Sequence, residues 1–343
     1  MHVPGHVRSE LKRLANVVGV GVGPKRRGGA ATEEEAVLVF VTQKLPESEL
    51  AAEDVCPKTV RIDDEEVPTD VVEVGEVRSL DATAVPPEST IAAATDSDRT
   101  QKYRPAPASV STAHPAVTAG TLGSPPLTTE DGTLVFLTNA HVAAPADATE
   151  GDPCLQPGPA DDGTEEDVIG TLAEFSPVSR DEPNESDSAL VAVDADALHS
   201  NKILEIGALA GWSEPDFDQQ FEKSGRTTGH TTGLLMARDV EIDVAGYYPD
   251  QSVTFVGVDA FTPMAAGGDS GSLIGRHDAG FRGTNLLFAG SPLVTFGIPM
   301  TAVEDFHGEL TVAHPPDVVD DDRSKSLLER IREFIRRFFG WWR

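Results

Sequence analysis

Short runs of β-branched and aliphatic residues, separated by Gly, Pro and Asp, recur along most of this chain, and the pattern predicts strands far more often than helices. Near the start, Val17-Val18-Gly19-Val20 and Ala36 to Val41 form two such runs around a Gly/Lys/Arg turn, and Val67 to Val74 forms a third. Pro46-Glu47-Ser48-Glu49-Leu50 between them has the Pro and acidic residues that favour the start of a short helix. Residues 1–80 therefore predict a small α+β module. Residues 81–108 turn to Ala, Thr, Ser, Pro and Asp with few large apolar side chains, the composition of a solvated linker. From 109 to 312 the apolar runs return at Leu134 to Leu137, Ala189 to Val193, Val240 to Val244, Val253 to Val258 and Leu286 to Ala289. Strands of that length between turn signals predict a sandwich or barrel rather than a βαβ sheet.

Composition changes the picture in two ways. The chain has 343 residues with 57 Asp plus Glu against 27 Lys plus Arg, a formal net charge of −30. That field opposes phosphate backbones, which bind through Lys and Arg, so nucleic acid is not an expected partner. With 39% hydrophobic residues the chain still has enough to fold around. Its acid-rich, Lys-poor make-up resembles proteins of halophilic archaea, where a Debye length of about 3 Å at molar salt screens self-repulsion. Cys56 and Cys154 are the two cysteines, too few for a disulfide scaffold, and no metal site or cofactor is expected. Without a run of about 20 apolar residues or a clear signal peptide, the expected address is cytoplasmic.

Three segments carry candidate chemistry. Leu137-Thr138-Asn139-Ala140-His141-Val142 ends an apolar run in a histidine; Ser186-Asp187-Ser188 leads into Ala189 to Val193; and Gly267-Gly268-Asp269-Ser270-Gly271-Ser272 sets a serine among glycines. A serine hydroxyl is a weak nucleophile unless a base takes its proton, and that base needs an acceptor to fix its tautomer. His141, Asp187 and Ser270 fit these roles. Asp167, Asp181 and Asp194 compete for the acid, and Asp187 is preferred because an apolar run follows it at once. Glycines before the serine let the Gly268 and Ser270 amides converge on one oxyanion. Gly225 to Gly233 reads as a turn opening the second half, with His230 structural.

The His, Asp, Ser order, the Gly-Asp-Ser-Gly-Ser loop and the Thr-Asn-Ala-His segment resemble the chymotrypsin/trypsin-like serine peptidases. The whole layout is similar to uncharacterised microbial trypsin-like proteins. That resemblance implies a mainly β chain, a chymotrypsin-like double β-barrel preceded by the α+β module, and hydrolysis of a protein or peptide through an acyl-enzyme. It also implies a specificity pocket with Met264 at its base and Phe288, Ala289 and Gly290 along one wall. Such an uncharged lining favours cleavage after apolar residues, since burying an unpaired Lys or Arg costs several kcal/mol. In relatives activated by cleavage, the acid before the serine meets a newly cut apolar N-terminus. No basic site followed by an Ile/Val-Val-Gly-Gly start occurs here, which implies an enzyme competent as synthesised. Two other readings stay open: a low-turnover scaffold and an esterase-like hydrolase.

Residues 313–343 begin with an acidic run and end in a basic amphipathic helix. From Leu327 to Trp342 the Leu, Ile, Phe and Trp residues fall on one face, opposite the charged residues between Glu329 and Arg337. That pattern fits an anionic membrane surface, a partner or oligomer seam, or the protein's own body.

Overall fold

Alternation of valine and glycine over Val18 to Gly23 builds a strand with two unlike faces. In the computed structural model, which describes residues 1–28, 30–80, 98–278 and 280–313, this is β1 (Val17–Arg27), antiparallel to β2 (Ala30–Val41). Its valines Val20 and Val22 pack with Val3, Val7, Leu11, Val37, Val39 and Ile62. Its glycines face the other way, and a Cβ at Gly19 or Gly23 would lie 2.6 or 2.4 Å from a backbone oxygen of the strand Gly229–Tyr248. Val3, Val7 and Leu11 also recur at helical spacing, and they anchor α1 (Gly5–Leu11), an element the strand-like reading of this region does not anticipate. The helix expected at Pro46 is a single 3-10 turn, Glu47–Glu49. β3 (Thr59–Ile62) and β4 (Glu65–Glu73) follow, β4 lying parallel to β2, and the chain then runs into β5 (Arg78–Ser79).

This first part does not stand apart from the rest. β1 pairs antiparallel with the strand Gly229–Tyr248, Gly19 opposite Ile242 and Val22 opposite Arg238, and residues 1–313 form one compact unit. Residues 98–108 also depart from the linker that composition assigns to 81–108. Arg99 is buried, its guanidinium 2.7 Å from Glu205 and 3.0 Å from Ser224 Oγ. β6 (Ala106–Ala108) is buried and pairs with the strand Leu198–Ile203. Small residues here mark tight packing rather than solvation.

The body begins with the paired strands β7 (Ser111–Thr112) and β8 (Gly120–Thr121). β9 (Leu127–Thr128), β10 (Leu134–Thr138), β11 (Pro153–Leu155), β12 (Val168–Phe175) and β13 (Ala189–Ala192) form a sheet in the order β11-β12-β13-β10-β9, and the one-turn helix α2 (Ala140–Ala143) follows β10. β14 (Leu198–Ile203) and β15 (Gly207–Trp212) lead across to β16 (Gln220–Gly225), β17 (Gly229–Tyr248), β18 (Gln251–Phe261), β19 (Leu273–Asp278), β20 (Gly280–Ser291) and β21 (Val294–Pro299). These last six close on themselves, each pairing with two others in the ring β17-β16-β19-β20-β21-β18. After α3 (Met300–His307), β22 (Thr311–Val312) returns to β9 and makes the first sheet six-stranded as well. The chain is thus mainly β, with two six-stranded units in the body and β1 to β4 extending the second. Arg226 ties the units together, donating from Nε to Asp161 at 2.8 Å. The amphipathic segment 323–343 and its acidic lead lie outside the described residues.

Candidate active site

Asn139 ends β10 in an extended conformation and starts the single turn of α2, so His141 projects where the strand stops. Its backbone N–H donates to Asp187 Oδ1 at 3.0 Å, and its Nδ1 lies 2.5 Å from Asp187 Oδ2. Asn139 Nδ2 donates to the Asp187 carbonyl at 2.7 Å, which locks the loop before β13 against the helix. Asp187 is fully buried. Burial pushes its carboxyl up, but the charge of His141 and hydrogen bonds from His141 and Tyr247 outweigh that and hold it below the usual carboxylate range. An ionised carboxylate only accepts, so in the neutral imidazole the proton belongs on Nδ1, which leaves the lone pair to Nε2.

Ser270 comes from the turn between β18 and β19, in the other six-stranded unit. Gly268 (φ 94°) and Gly271 (φ 93°) flank it in left-handed conformations, and a Cβ would come within 2.4 Å of Thr227 Oγ1 at the first or of Thr138 Oγ1 at the second. Thr121 of β8, in the two-stranded β7-β8 pair, clasps the turn: its N–H donates to the Ser270 carbonyl at 2.8 Å and its hydroxyl to the Gly268 carbonyl at 2.9 Å. The structure thus joins His141 to Asp187, while no hydrogen bond joins Ser270 to His141. Among the described residues His141 Nε2 is buried without a hydrogen-bond partner, and Ser270 Oγ makes a long contact of 3.4 Å with the Phe288 carbonyl. Such bonds often tighten only when a substrate is bound for reaction.

Asp269 is met by a side chain rather than by a chain terminus. Lys223 Nζ lies 3.0 Å from Asp269 Oδ2, both side chains fully buried. The Thr228 hydroxyl and the amides of Ala266, Thr227 and Thr228 donate to the same carboxylate at 2.6 to 3.1 Å. Burial opposes its charge, but Lys223 and these donors hold the Asp269 carboxyl low. The segment Gly225 to Gly233 is the turn between β16 and β17 with the start of β17, and His230 sits 2.6 Å from Glu222.

The pocket residues divide. Met264 is buried with Phe221, Leu235, Phe261, Ala265, Ile274 and Leu287 in an apolar cluster beside the serine turn, and Leu80 completes that cluster. Phe288 and Ala289 do not line it with their side chains. Both belong to the main core, and the Phe288 ring packs 4.6 Å from that of Phe255. Phe288 offers the pocket its carbonyl instead, and Gly290 lies against Leu80, whose Cδ1 would be 3.5 Å from a Cβ there.

The chain's own backbone fills the groove between these groups. β5 pairs antiparallel with β20, Ser79 opposite Ala289 and Arg78 opposite Gly290, and parallel with β17 on its other side. The Leu80 N–H donates to the Phe288 carbonyl at 3.2 Å, and the Leu80 carbonyl accepts from the Gly268 amide at 2.8 Å. Ser79 and His141 share the lining of an adjoining cleft of about 420 Å³ that also includes Thr118, Phe175, Tyr247 and Tyr248.

No family model matches the sequence, and no curated protein matches it. Solved serine proteases do resemble its structure. A structure described as a glutamic acid specific serine protease that uses a novel histidine triad in substrate binding is 19% identical, with 60% of this chain and 100% of that one covered and a TM-score of 0.44. Protease A of Thermobifida fusca is 18% identical over 60% of this chain and 96% of its own, with a TM-score of 0.43. The chymotrypsin of Cellulomonas bogoriensis is 19% identical, with coverage of 60% and 96% and a TM-score of 0.41.

Four contributors escape a reading of the sequence: Thr121, Lys223, Tyr247 and Leu80. Tyr247 is the most direct, since its hydroxyl donates to Asp187 Oδ2 and its ring packs edge-on against His141 at 5.5 Å between centroids. A donor to the ionised form lowers a carboxyl pKa, so Tyr247→Phe is expected to raise that of Asp187. Asp187 contributes stability that is present above the unfolded Asp value of about 3.9 and lost as pH falls through its lowered folded value. The variant should therefore unfold at higher pH on the acid side and lose about 1–3 kcal/mol at neutral pH. Unfolding curves from pH 7 downward check this, and an unchanged acid limb would refute the coupling.

Proposed function

We propose that the chain is a serine endopeptidase acting after apolar residues. Ser270 Oγ attacks a peptide carbonyl carbon while His141 Nε2 takes its proton; Asp187 holds the imidazole in the required tautomer and stabilises the imidazolium. The Gly268 and Ser270 amides steady the developing oxyanion. His141 then returns the proton to the leaving amine, and water, activated by the same base, releases the acid from the acyl-enzyme. No step needs a metal or organic cofactor.

The observation that carries this reading is the way residues 78–80 lie in the groove. A peptide strand adds to the edge of β20, its carbonyl reaches the Gly268 amide, and a leucine side chain enters the Met264 cluster. Main-chain pairing along the residues that lead up to a reacting carbonyl favours peptide substrates over simple esters, which lack most of these groups. The test is a fluorophosphonate probe followed by mass spectrometry. An adduct on Ser270 in the wild type, absent from Ser270→Ala, is expected, together with faster release from peptides bearing Leu, Met or Phe than from those bearing Arg or Lys at the cleaved residue. Preference for the basic residues would overturn the pocket assignment, and absence of any adduct would overturn the enzyme reading.

A further inference from the structure

We propose that the bond following Leu80 is itself a substrate of this site, so that the protein cuts its own chain once and keeps residues 1–80 bound as a product in the groove. This rests on the endopeptidase reading and adds the identity of one substrate. Three contacts converge on one residue. The Leu80 N–H is held by the Phe288 carbonyl, its carbonyl oxygen by the Gly268 amide, and its side chain, 4% exposed, by the apolar cluster around Met264. A strand present only to complete a sheet would need none of the second contact. Gly268 takes a left-handed conformation in the turn that carries Ser270, and a carbonyl oxygen on its amide brings the attached carbon to the nucleophile's side of the groove.

The rest of the segment is held in the same register. Val77 and Val74 are buried in the main core, the Val77 carbonyl accepts from Ala245 N at 2.9 Å, and the Val74 carbonyl accepts from Ser291 Oγ. Upstream, β1 is hydrogen-bonded into β17. Because the substrate is tethered through both its own chain and this shared sheet, its effective concentration at the site is high, and a single turnover needs no encounter. Sequence supplies the remaining chemistry. The residue after Leu80 is Asp81, followed by Ala82, Thr83 and Ala84, so the leaving group is an ordinary α-amine.

The step balances without a further reagent beyond water. Ser270 Oγ bonds to the Leu80 carbonyl carbon as its proton passes to His141. The bond to the Asp81 nitrogen breaks as His141 returns that proton, and Asp81 becomes a new N-terminus. Water then adds to the ester, restores Ser270 and leaves Leu80 with a carboxylate. That product retains the Leu80 side-chain and N–H contacts, so it occupies the groove and limits entry of other peptides.

The full chain and its Ser270→Ala form, purified side by side, test this. Wild type is expected as two fragments on denaturing gels, one beginning at Asp81, that run as a single species on native size exclusion; Ser270→Ala is expected intact. Leu80→Met should still be cut. Leu80→Asp, which would put a carboxylate among Phe221, Leu235 and Met264, should be cut at least tenfold more slowly and take the fluorophosphonate probe at least tenfold faster. A wild-type chain that stays intact while its Ser270 accepts the probe overturns self-cleavage and leaves the endopeptidase reading standing. A cut at the same bond in Ser270→Ala overturns it too, by assigning the cut to another protease. Failure of every form to take the probe overturns both.

Discussion

His141→Ala is expected to slow peptide hydrolysis by roughly 10⁴- to 10⁶-fold, because under the proposed mechanism it removes the base that accepts the Ser270 proton. Asp187→Asn should cost nearly as much, about 10⁴-fold, by a different route. Asp187 accepts from His141 N through one oxygen and lies against His141 Nδ1 through the other. An amide in its place can turn its NH2 toward Nδ1, which moves the imidazole proton to Nε2 and removes the lone pair that the proposed mechanism requires there. Asp187→Asn also acts on the fold: it keeps a side chain of the same shape but gives up the charged acceptor shared by His141 and Tyr247, so it should unfold earlier than the wild type. Single-turnover kinetics on an apolar peptide, with unfolding curves for both, provide the check. Equal turnover by wild type and His141→Ala would end the triad assignment.

Lys223→Met is expected to be the most damaging single change to stability away from the large core side chains. Lys223 and Asp269 have no exposed side-chain surface, and the ammonium lies 3.0 Å from the carboxylate. Removing one member of such a pair leaves a buried charge uncompensated, at a cost of about 3–5 kcal/mol. The remaining donors, from Ala266, Thr227 and Thr228, soften the loss without cancelling a full charge. Asp269 adjoins both Gly268 and Ser270, so any shift in its turn also moves the amides proposed to hold the oxyanion, and turnover should fall with stability. Denaturant unfolding at fixed salt measures the first effect. Adding Asp269→Asn to Lys223→Met should recover part of the stability, since it removes the stranded charge. If the single variant unfolds like the wild type, the pair does not hold the turn as described.

The sequence discloses the groups proposed to do the chemistry more readily than the groups that hold them. His141, Asp187 and Ser270 each end or begin a run of strand-forming residues, and their order follows a known pattern; the structure brings the first two into direct contact. Lys223 and Tyr247 have no local mark. Their partners are 46 and 60 residues away in sequence, and neither periodicity nor composition reports a contact made only after the second ring closes. Phe288 shows a different limit. β20 is buried along almost its whole length and shifts register between Leu287 and Ala289, so its side chains carry no in-and-out alternation from which to tell pocket from core. The resemblance could indicate the strand but not its facing. Residues 98–108 mislead for a related reason, because small side chains serve both solvated linkers and strands packed closely against a neighbour.

Loss of the first 80 residues would also have a mechanical consequence. β1 covers one flank of β17 between Arg238 and Ile242, and it fits there because its glycines let the two backbones lie close. Were that strand to leave, β17 would present bare amides and carbonyls along that flank, the kind of edge on which another copy could dock by sheet extension. Retaining the detached piece would therefore keep the body monodisperse as well as restrained, and stripping it away should be accompanied by clumping rather than by a clean free enzyme.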